Sequence, residues 1–396
     1  MSEQTTNSSQ LGPKKQASKP VQKVTSPPTN KQERKISRRQ YFFLLVQTQI
    51  GVGVLSLPSD LHQVAKQDGW ISLAIAGAVL PVILFCLFLI GKQFPDSTFE
   101  QMTEKLFSKW GGRVFSFLYI LYFSSVAALI ILLFGRMISL WVLPNTPFWA
   151  IALCMVIVGL YLANGGLLVL ARFYTMVSGL LPVLIILTLF SFQEVHLMYL
   201  MPIGESGISK IFEGASEAML SFFGFFVSLV IFSEVEGKPR QKFIIILLAH
   251  FFTFFFYMIT LLVSYTFFST TELSLVPEPL LYMLKSFELP FVARIDLFFI
   301  SVWFVSVATS YTTYLYIASL GLKQLFRTKS IKVFNLVISL FVYAFTLLIG
   351  FDVAKVDRHA NVVVYGGYIF SFTIPIVMVV IILVMKPFQK RKEEAS

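Results

Sequence analysis

The sequence is poor in charged residues, cysteine and histidine, and each shortage excludes a class of protein. Charged residues make up 13% of the 396 residues, against roughly 25% in soluble domains. Cys86 and Cys154 both lie inside apolar runs, which is typical of small hydrophobic residues rather than of a disulfide or a metal pair. The four histidines have no metal-ligand spacing, and neither a P-loop nor a paired nucleophile and base is present. We therefore expect no enzyme activity, no cofactor and no metal site.

The sequence is rich in long apolar segments. Hydrophobic residues make up 56% of the chain, the composition of a polytopic membrane protein. Ten apolar segments predict an all-α domain of ten transmembrane helices over residues 41–386. A disordered basic tail is expected at 1–40 and a short tail at 387–396. The predicted spans lie at about 41–61, 70–91, 114–138, 147–163, 174–192, 216–233, 243–268, 292–321, 333–351 and 362–385.

Lysine and arginine are unevenly divided between the loops. If both termini are cytoplasmic, 25 of these residues fall in cytoplasmic segments and 6 in external ones. Because basic residues are retained on the cytoplasmic side of membranes, this division predicts cytoplasmic termini. It also accounts for the net charge of +11 without a nucleic-acid partner.

The first span carries a pair of glycines near its middle. Residues 41–61 are long enough to cross a bilayer, and Gly51 and Gly53 fall near the midplane. Each glycine costs about 1 kcal/mol of helix propensity and lets the backbone leave the helix. Pro58 removes one more backbone donor. Two interpretations stay open here: a helix broken around a binding site, as in secondary transporters, or close packing of two helices.

The sixth span, residues 217–236, begins the second half if the ten spans divide five and five. Ser221 and Gly224 lie near its middle, at the position that corresponds to the glycine pair. Interrupted helices at corresponding positions of two halves are typical of inverted-repeat transporters. The preceding residues, 208–219, predict a short helix lying on or entering the membrane.

Two broken helices would present opposite partial charges to a ligand. The N–H groups of Gly53, Val54 and Leu55 would favour a carboxylate, and free carbonyls near Ser221 would favour an ammonium group. This pairing matches a zwitterion such as an amino acid. Hydroxyls in other spans are candidates to complete the pocket, the alternative being helix–helix or own-backbone hydrogen bonds. The predicted ligand contacts are Gly51, Val52, Gly53, Val54, Tyr122, Ser125, Ser221, Phe222, Gly224, Ser301 and Ser306.

Four short motifs stand in order along the membrane part. They are KISRRQ at 35–40, GVGVL with LP at 51–58, QDGW at 67–70 and LPNTP at 143–147. Together they resemble the spore germination permease family, the membrane B subunits of nutrient germinant receptors in endospore-forming bacteria. The resemblance covers about residues 35–386.

The resemblance implies a fold and partners. The fold is that of the amino acid–polyamine–organocation superfamily, a 5+5 inverted repeat with broken helices 1 and 6. The partners are an A subunit with a large soluble domain and a lipoprotein C subunit, in the spore inner membrane. A small-molecule nutrient, such as an amino acid, is the implied ligand, with Gly51 and Gly53 in the ligand role.

Two carboxylates of the family pattern are replaced in this chain. Residues 224–226 read GFF where a glycine, an aromatic residue and a glutamate are usual, and 166–168 read GLL where the third is usually glutamate. Glu217 and the other charged residues near membrane depth lie toward helix ends, where side chains reach the membrane surface. The replacements argue against cation coupling and against a cationic ligand, and they leave two alternatives: a more apolar germinant, or a divergent paralogue with altered signalling.

Three hypotheses follow. The chain is a ligand sensor that binds an amino acid-like nutrient and signals through partner subunits, an amino acid transporter of the same fold, or a structural subunit without a ligand. The first two share the same site architecture.

Overall fold

The computed structural model describes residues 35–287 and 294–394, and this part of the chain is helical apart from loops and one isolated β-bridge. Most of the predicted N-terminal tail, residues 1–34, lies outside the described residues. The α-helices are α1 (Arg38–Gln49), α2 (Gly53–Ala65), α3 (Gly69–Gln93), α4 (Phe99–Trp141), α5 (Phe148–Ala163), α6 (Leu167–Val177), α7 (Leu181–Phe190), α8 (Ile208–Ser221), α9 (Val227–Val230), α10 (Pro239–Phe267), α11 (Thr270–Leu273), α12 (Pro279–Lys285), α13 (Ile295–Leu325), α14 (Lys332–Ile349), α15 (Val353–Gly367) and α16 (Ile374–Glu394).

These helices form ten spans, as the sequence predicts. Seven helical stretches of the described chain are long and apolar enough to cross a membrane, and α5 is a shorter apolar helix. The first span consists of α1 and α2 and the sixth of α8 and α9, so a broken span opens each half. The others are α3, α4, α5, α6 with α7, α10, α13, α14 and α15 with α16.

The chain is ordered before the predicted start of the first span. Helix α1 begins at Arg38, and Ser37 caps it in a capping box. Ile36 forms a β-bridge with the segment after the sixth span: its N–H donates to Glu234 O, and Glu236 N–H donates to its carbonyl, both at 2.9 Å. The last residues of the tail predicted to be disordered are therefore held by backbone hydrogen bonds.

Several helices extend past the apolar segments. Helix α16 runs to Glu394, so the predicted C-terminal tail begins inside a helix. Helix α8 begins at Ile208, and the short helix expected at 208–219 is the first half of the sixth span. Helix α4 begins at Phe99 and bends at Ser108, whose φ of 72° and ψ of 167° are not helical. Polar ends therefore continue helices whose apolar centres the sequence located.

The QDGW motif fastens the long loop between the fifth and sixth spans. The Asp68 carboxylate accepts hydrogen bonds from Gly204 N–H at 2.7 Å and Ser206 N–H at 3.0 Å. Gln67 Nε2 donates to Glu205 Oε2 at 2.6 Å. The motif therefore has a structural role at the start of α3, away from the breaks.

The broken spans lie side by side in the middle of the bundle. Helix α1 contacts α6, α10 and α13, while α8 packs on α2 and α3. Helices α4 and α13 form the most extensive pair of the described helices. Close approach in this core depends on glycine, since a Cβ at Gly159 of α5 would collide with the ring of Tyr311 of α13. This packing surrounds both breaks with helices.

Candidate functional site

The first span stops being helical at Gln49 and resumes at Gly53. Ile50 ends α1 with φ −78° and ψ 85°, and Gly51 N–H turns back to donate to Gln49 O at 2.9 Å. Trp303 Nε1 of α13 donates to the Gly51 carbonyl at 3.1 Å. Non-helical backbone at membrane depth persists only where protein or water supplies the missing hydrogen bonds. The predicted break is confirmed, and α13 supplies one of its bonds.

The sixth span breaks between Ser221, where α8 ends, and Val227, where α9 begins. Gly224 has φ +119°, a conformation that other residues rarely adopt. A Cβ at this position would lie 3.2 Å from both Thr48 O and Gln49 Cγ. The two breaks therefore touch, and glycine is required where they meet.

The two glycines of the first break face different surroundings. A Cβ added at Gly51 would lie 3.1 Å from Ser310 Oγ of α13, so Gly51 allows close helix packing. A Cβ added at Gly53 would have only Ser221 Oγ near it, at 4.0 Å. Gly51 thus fits the packing interpretation, while Gly53 leaves open space at the break.

A cavity of about 230 Å³ lies between the two breaks. Helices α4, α13 and α15 complete its wall. The lining is mostly apolar, with Val126, Leu129, Ile130, Leu133, Leu220, Phe223 and Val363 among its members. Its polar side chains are Thr48, Gln49, Asp60, Glu217, Ser221, Ser310 and Tyr314.

Part of the predicted ligand set lines this cavity, namely Gly51, Val52, Gly53 and Ser221. Val54 is fully buried away from it, although it follows Gly53 directly. Phe222 is also fully buried, against His250 and Tyr257. Gly224 packs on α1 as described above. A ligand role for the four lining residues stays a prediction.

The other predicted side chains lie outside the cavity as well. Tyr122 stacks on Phe370, and the exposed hydroxyl of Ser301 donates to Leu297 O of its own helix. The backbone carbonyls of Ser125 and Ser306 accept hydrogen bonds from His359 Nε2 and Thr309 Oγ1. Depth along a span does not determine which way a side chain faces, and the structure places these four residues away from the cavity.

The sequence reasoning missed two carboxylates of the cavity wall. Asp60 was not considered, and Glu217 was assigned to a helix end. A signal for both was present, since Gly53, Leu57 and Asp60 repeat at helical spacing on one face of α2, and all three line the cavity. Glu217 lies four residues before Ser221, on the same face of α8.

Buried hydrogen bonds connect helix α1 to two neighbouring parts of the bundle. Gln47 Nε2 donates to Ser178 Oγ at 3.1 Å, and Thr309 Oγ1 donates to Gln47 Oε1 at 2.9 Å. Ser310 Oγ donates to the Thr48 carbonyl at 2.9 Å. These bonds join α1 to α13 and to the turn between α6 and α7.

A further carboxyl group, that of Glu278, acts electrostatically on Asp60 of the cavity wall. Glu278 stands just before α12, which packs on α2. Its side chain is buried, which raises its pKa, while the charge of Arg136 and a hydrogen bond with Trp141 partly offset the effect of burial.

Among the described residues, no group of three or more histidine, cysteine or acidic side chains is arranged to hold a metal ion.

The chain is similar to one family of known proteins along most of its length. The sequence model of a family described as "Spore germination protein" matches residues 35–356. Spore germination protein A2 of Bacillus subtilis is 29% identical over 360 residues, covering 88% of this chain and 95% of that protein. Spore germination protein YndE of the same species is 26% identical over 303 residues, with coverages of 75% and 83%.

Two solved structures share the fold. A Na⁺-coupled sialic acid symporter in its substrate-bound outward-open state gives a TM-score of 0.62 at 13% identity, covering 86% of this chain and 78% of that one. MhsT in complex with L-phenylalanine gives 0.60 at 14% identity, covering 88% and 99%. At these identities the likeness concerns the fold alone. It confirms the predicted transporter architecture, a 5+5 inverted repeat with broken helices 1 and 6.

Proposed function

Because this chain belongs to the spore germination protein family, we propose that it is the membrane subunit of a nutrient germinant receptor. In this proposal an amino acid-like nutrient binds in the cavity between the two breaks, and the bound state is passed to partner subunits. The observation that carries the proposal is that both breaks line one cavity, with Gly51, Val52 and Gly53 on one side and Ser221 on the other.

The chemistry of the breaks supports an amino acid. Helix α2 begins at the cavity, and Val52 provides no side-chain cap for it. The first N–H groups of a helix have no partner within the helix and carry partial positive charge, so they favour a carboxylate. Ser221 at the end of α8 and the Gln49 amide oxygen are acceptors for an ammonium group. The comparison structure of MhsT, which holds L-phenylalanine, shows that the fold itself accommodates such a ligand.

The partners and the location belong to the proposal too. Relatives of this chain are spore germination proteins A2, B2 and KB of Bacillus subtilis. By resemblance, the partners are the A and C subunits, and the location is the spore inner membrane. The division of lysine and arginine between the loops supports cytoplasmic termini.

An amino acid transporter of the same fold is the second candidate, and the transporter fold itself favours it. A structural subunit would have no use for a cavity at the breaks. We would test the first two with the purified chain in nanodiscs and in liposomes. The receptor proposal predicts that an amino acid raises the unfolding temperature in nanodiscs, without uptake of the same labelled amino acid into liposomes. Uptake by the chain alone would establish the transporter instead, and absence of any amino acid binding would contradict both.

A further inference from the structure

The cavity proposed to bind the nutrient is lined by two carboxylates without a cationic side chain beside them. Asp60 of α2 and Glu217 of α8 both line it, and no lysine, arginine or histidine is among its described lining residues. Within the described chain, no ion pair includes either carboxylate. The charged groups that act on Asp60 are two further carboxylates, Glu217 and Glu278.

A buried acceptor in the same wall also lacks a partner. Gln49 is 4% exposed and lines the cavity, and its Oε1 atom has no hydrogen-bond partner. Gln47, two residues earlier, is bonded at both ends of its amide. Because buried acceptors are almost always paired in folded proteins, the Gln49 oxygen is a candidate acceptor for a donor that a ligand or a water would bring.

The cavity has more hydrogen-bond acceptors than the donor groups of a neutral amino acid can satisfy. Its carboxylate would take the N–H groups that begin α2, and its α-ammonium group would take the Gln49 oxygen and the end of α8. Asp60 and Glu217 would then still face the cavity without a counter-charge. Both side chains are exposed in the structure. A ligand that filled the cavity would exclude water from them, and a charge without water is costly unless it is paired, so a second cationic group on the ligand would stabilise the complex.

The placement of the carboxylates fits a long cationic side chain. Asp60 lies seven residues after Gly53, about 10 Å along α2, and Glu217 lies four residues before Ser221, about 6 Å along α8. These separations are on the scale of an extended lysine or arginine side chain. We propose that the cavity selects an amino acid with a cationic side chain, whose ammonium or guanidinium group lies between Asp60 and Glu217.

This inference rests on the proposed function, and it reverses the expectation drawn from the two replaced family carboxylates. The negative charge expected at residues 168 and 226 is absent there, but two other positions bring carboxylates to the cavity. The nutrient would thus be bound by its backbone groups at the breaks and selected by its side chain farther along the cavity.

The test uses two ligands that differ in one group. L-Norleucine has the side chain of L-lysine without the terminal amine. With the full chain in nanodiscs, titration calorimetry should give at least about tenfold tighter binding for lysine, equivalent to about 1.4 kcal/mol. Asp60→Asn and Glu217→Gln should each reduce this preference by weakening the binding of lysine. Glu213→Gln is the matched control, because Glu213 lies one turn earlier on α8, is exposed and pairs with Lys210.

The outcomes separate this inference from the function on which it rests. Equal affinity for lysine and norleucine would overturn the selection of cations and leave amino acid binding in place. Absence of binding by either ligand and by every other amino acid would overturn both. Stabilisation by sodium chloride over choline chloride without an amino acid, lost in Asp60→Asn, would also overturn it, because the carboxylates would then hold an inorganic cation.

Discussion

The Tyr257 hydroxyl donates to the carbonyl oxygen of Gln49 at 2.7 Å, at the residue where α1 stops. The same hydroxyl lies 3.2 Å from the Ser221 carbonyl, where α8 stops. The last carbonyls of a helix lack partners within it and carry partial negative charge. One donor on α10 therefore stabilises the ends of both half-helices without lining the cavity between them.

Removal of this hydroxyl should loosen both breaks. In Tyr257→Phe the ring keeps its volume, but two buried carbonyls lose their shared donor. We expect a loss of about 1–3 kcal/mol in the free energy of unfolding, together with weaker amino acid binding. Thermal unfolding of the purified variant measures the first effect. Tyr161→Phe is the control, since Tyr161 is exposed on α5, and equal unfolding temperatures for both variants would contradict the role of Tyr257.

Enlarging Gly53 should affect the nutrient response rather than the fold. Alanine has room there, since the nearest atom to its Cβ is Ser221 Oγ at 4.0 Å. Gly53→Ala should accumulate normally in spore membranes and shift germination to higher nutrient concentration, and Gly53→Leu should abolish the response by filling the cavity. Gly77→Ala is the contrast, because its Cβ would collide with Phe254 and lower the amount of protein. Immunoblots and germination curves measure these effects, and a normal response in both Gly53 variants would exclude this cavity as the site.

Glu278 should make stability depend on pH. Its pKa is raised by burial in the folded protein, so its contribution is most favourable below the unfolded pKa and is lost as pH rises through the folded pKa. Because Glu278→Gln cannot ionise, this variant should have a higher unfolding temperature than the parent at about pH 7.5. The two unfolding temperatures should become equal at about pH 4. Unfolding curves across this range check the sign. A variant less stable than the parent at neutral pH would mean that the charged form is the stabilising one.

The orientation in the membrane can be tested at two exposed serines. Ser274 follows α11, and Ser330 lies between α13 and α14. With Cys86 and Cys154 replaced, a cysteine at 274 should react with an impermeant maleimide added from outside, and one at 330 should not. Ser206 is a poorer position, because its hydroxyl bonds to the Ala65 carbonyl. The reverse labelling pattern would invert the topology.

Much of the fold was predictable because membranes restrict the possible structures. Apolar segments of span length located all ten helices, and the glycine pair located the first break. The second break was predicted from Ser221 and Gly224 on weaker grounds, and the positive φ of Gly224 now explains it. Helix ends were less predictable, since polar residues continue α4, α8 and α16 beyond their apolar centres.

The site was less predictable than the fold. Sequence spacing cannot tell that Gly51 meets Ser310 while Gly53 faces open space, because that difference depends on where α13 packs. Ser301 and Ser306 have suitable depth and chemistry, yet their helix turns them away from the cavity. Asp60 lies at helical spacing from Gly53 and Leu57, so periodicity along α2 predicts that it shares their face.

The contact of Gly224 with Thr48 and Gln49 has a consequence for the shape of a dose–response curve. Because the two breaks meet at one cavity, the proposed receptor would have one ligand site shared by the inverted halves rather than one site in each. Occupancy of one isolated chain must then rise hyperbolically with nutrient concentration, with a Hill coefficient of one. A steeper germination curve would therefore indicate that more than one chain responds together, and ligand binding to chains held singly in nanodiscs should lose that steepness.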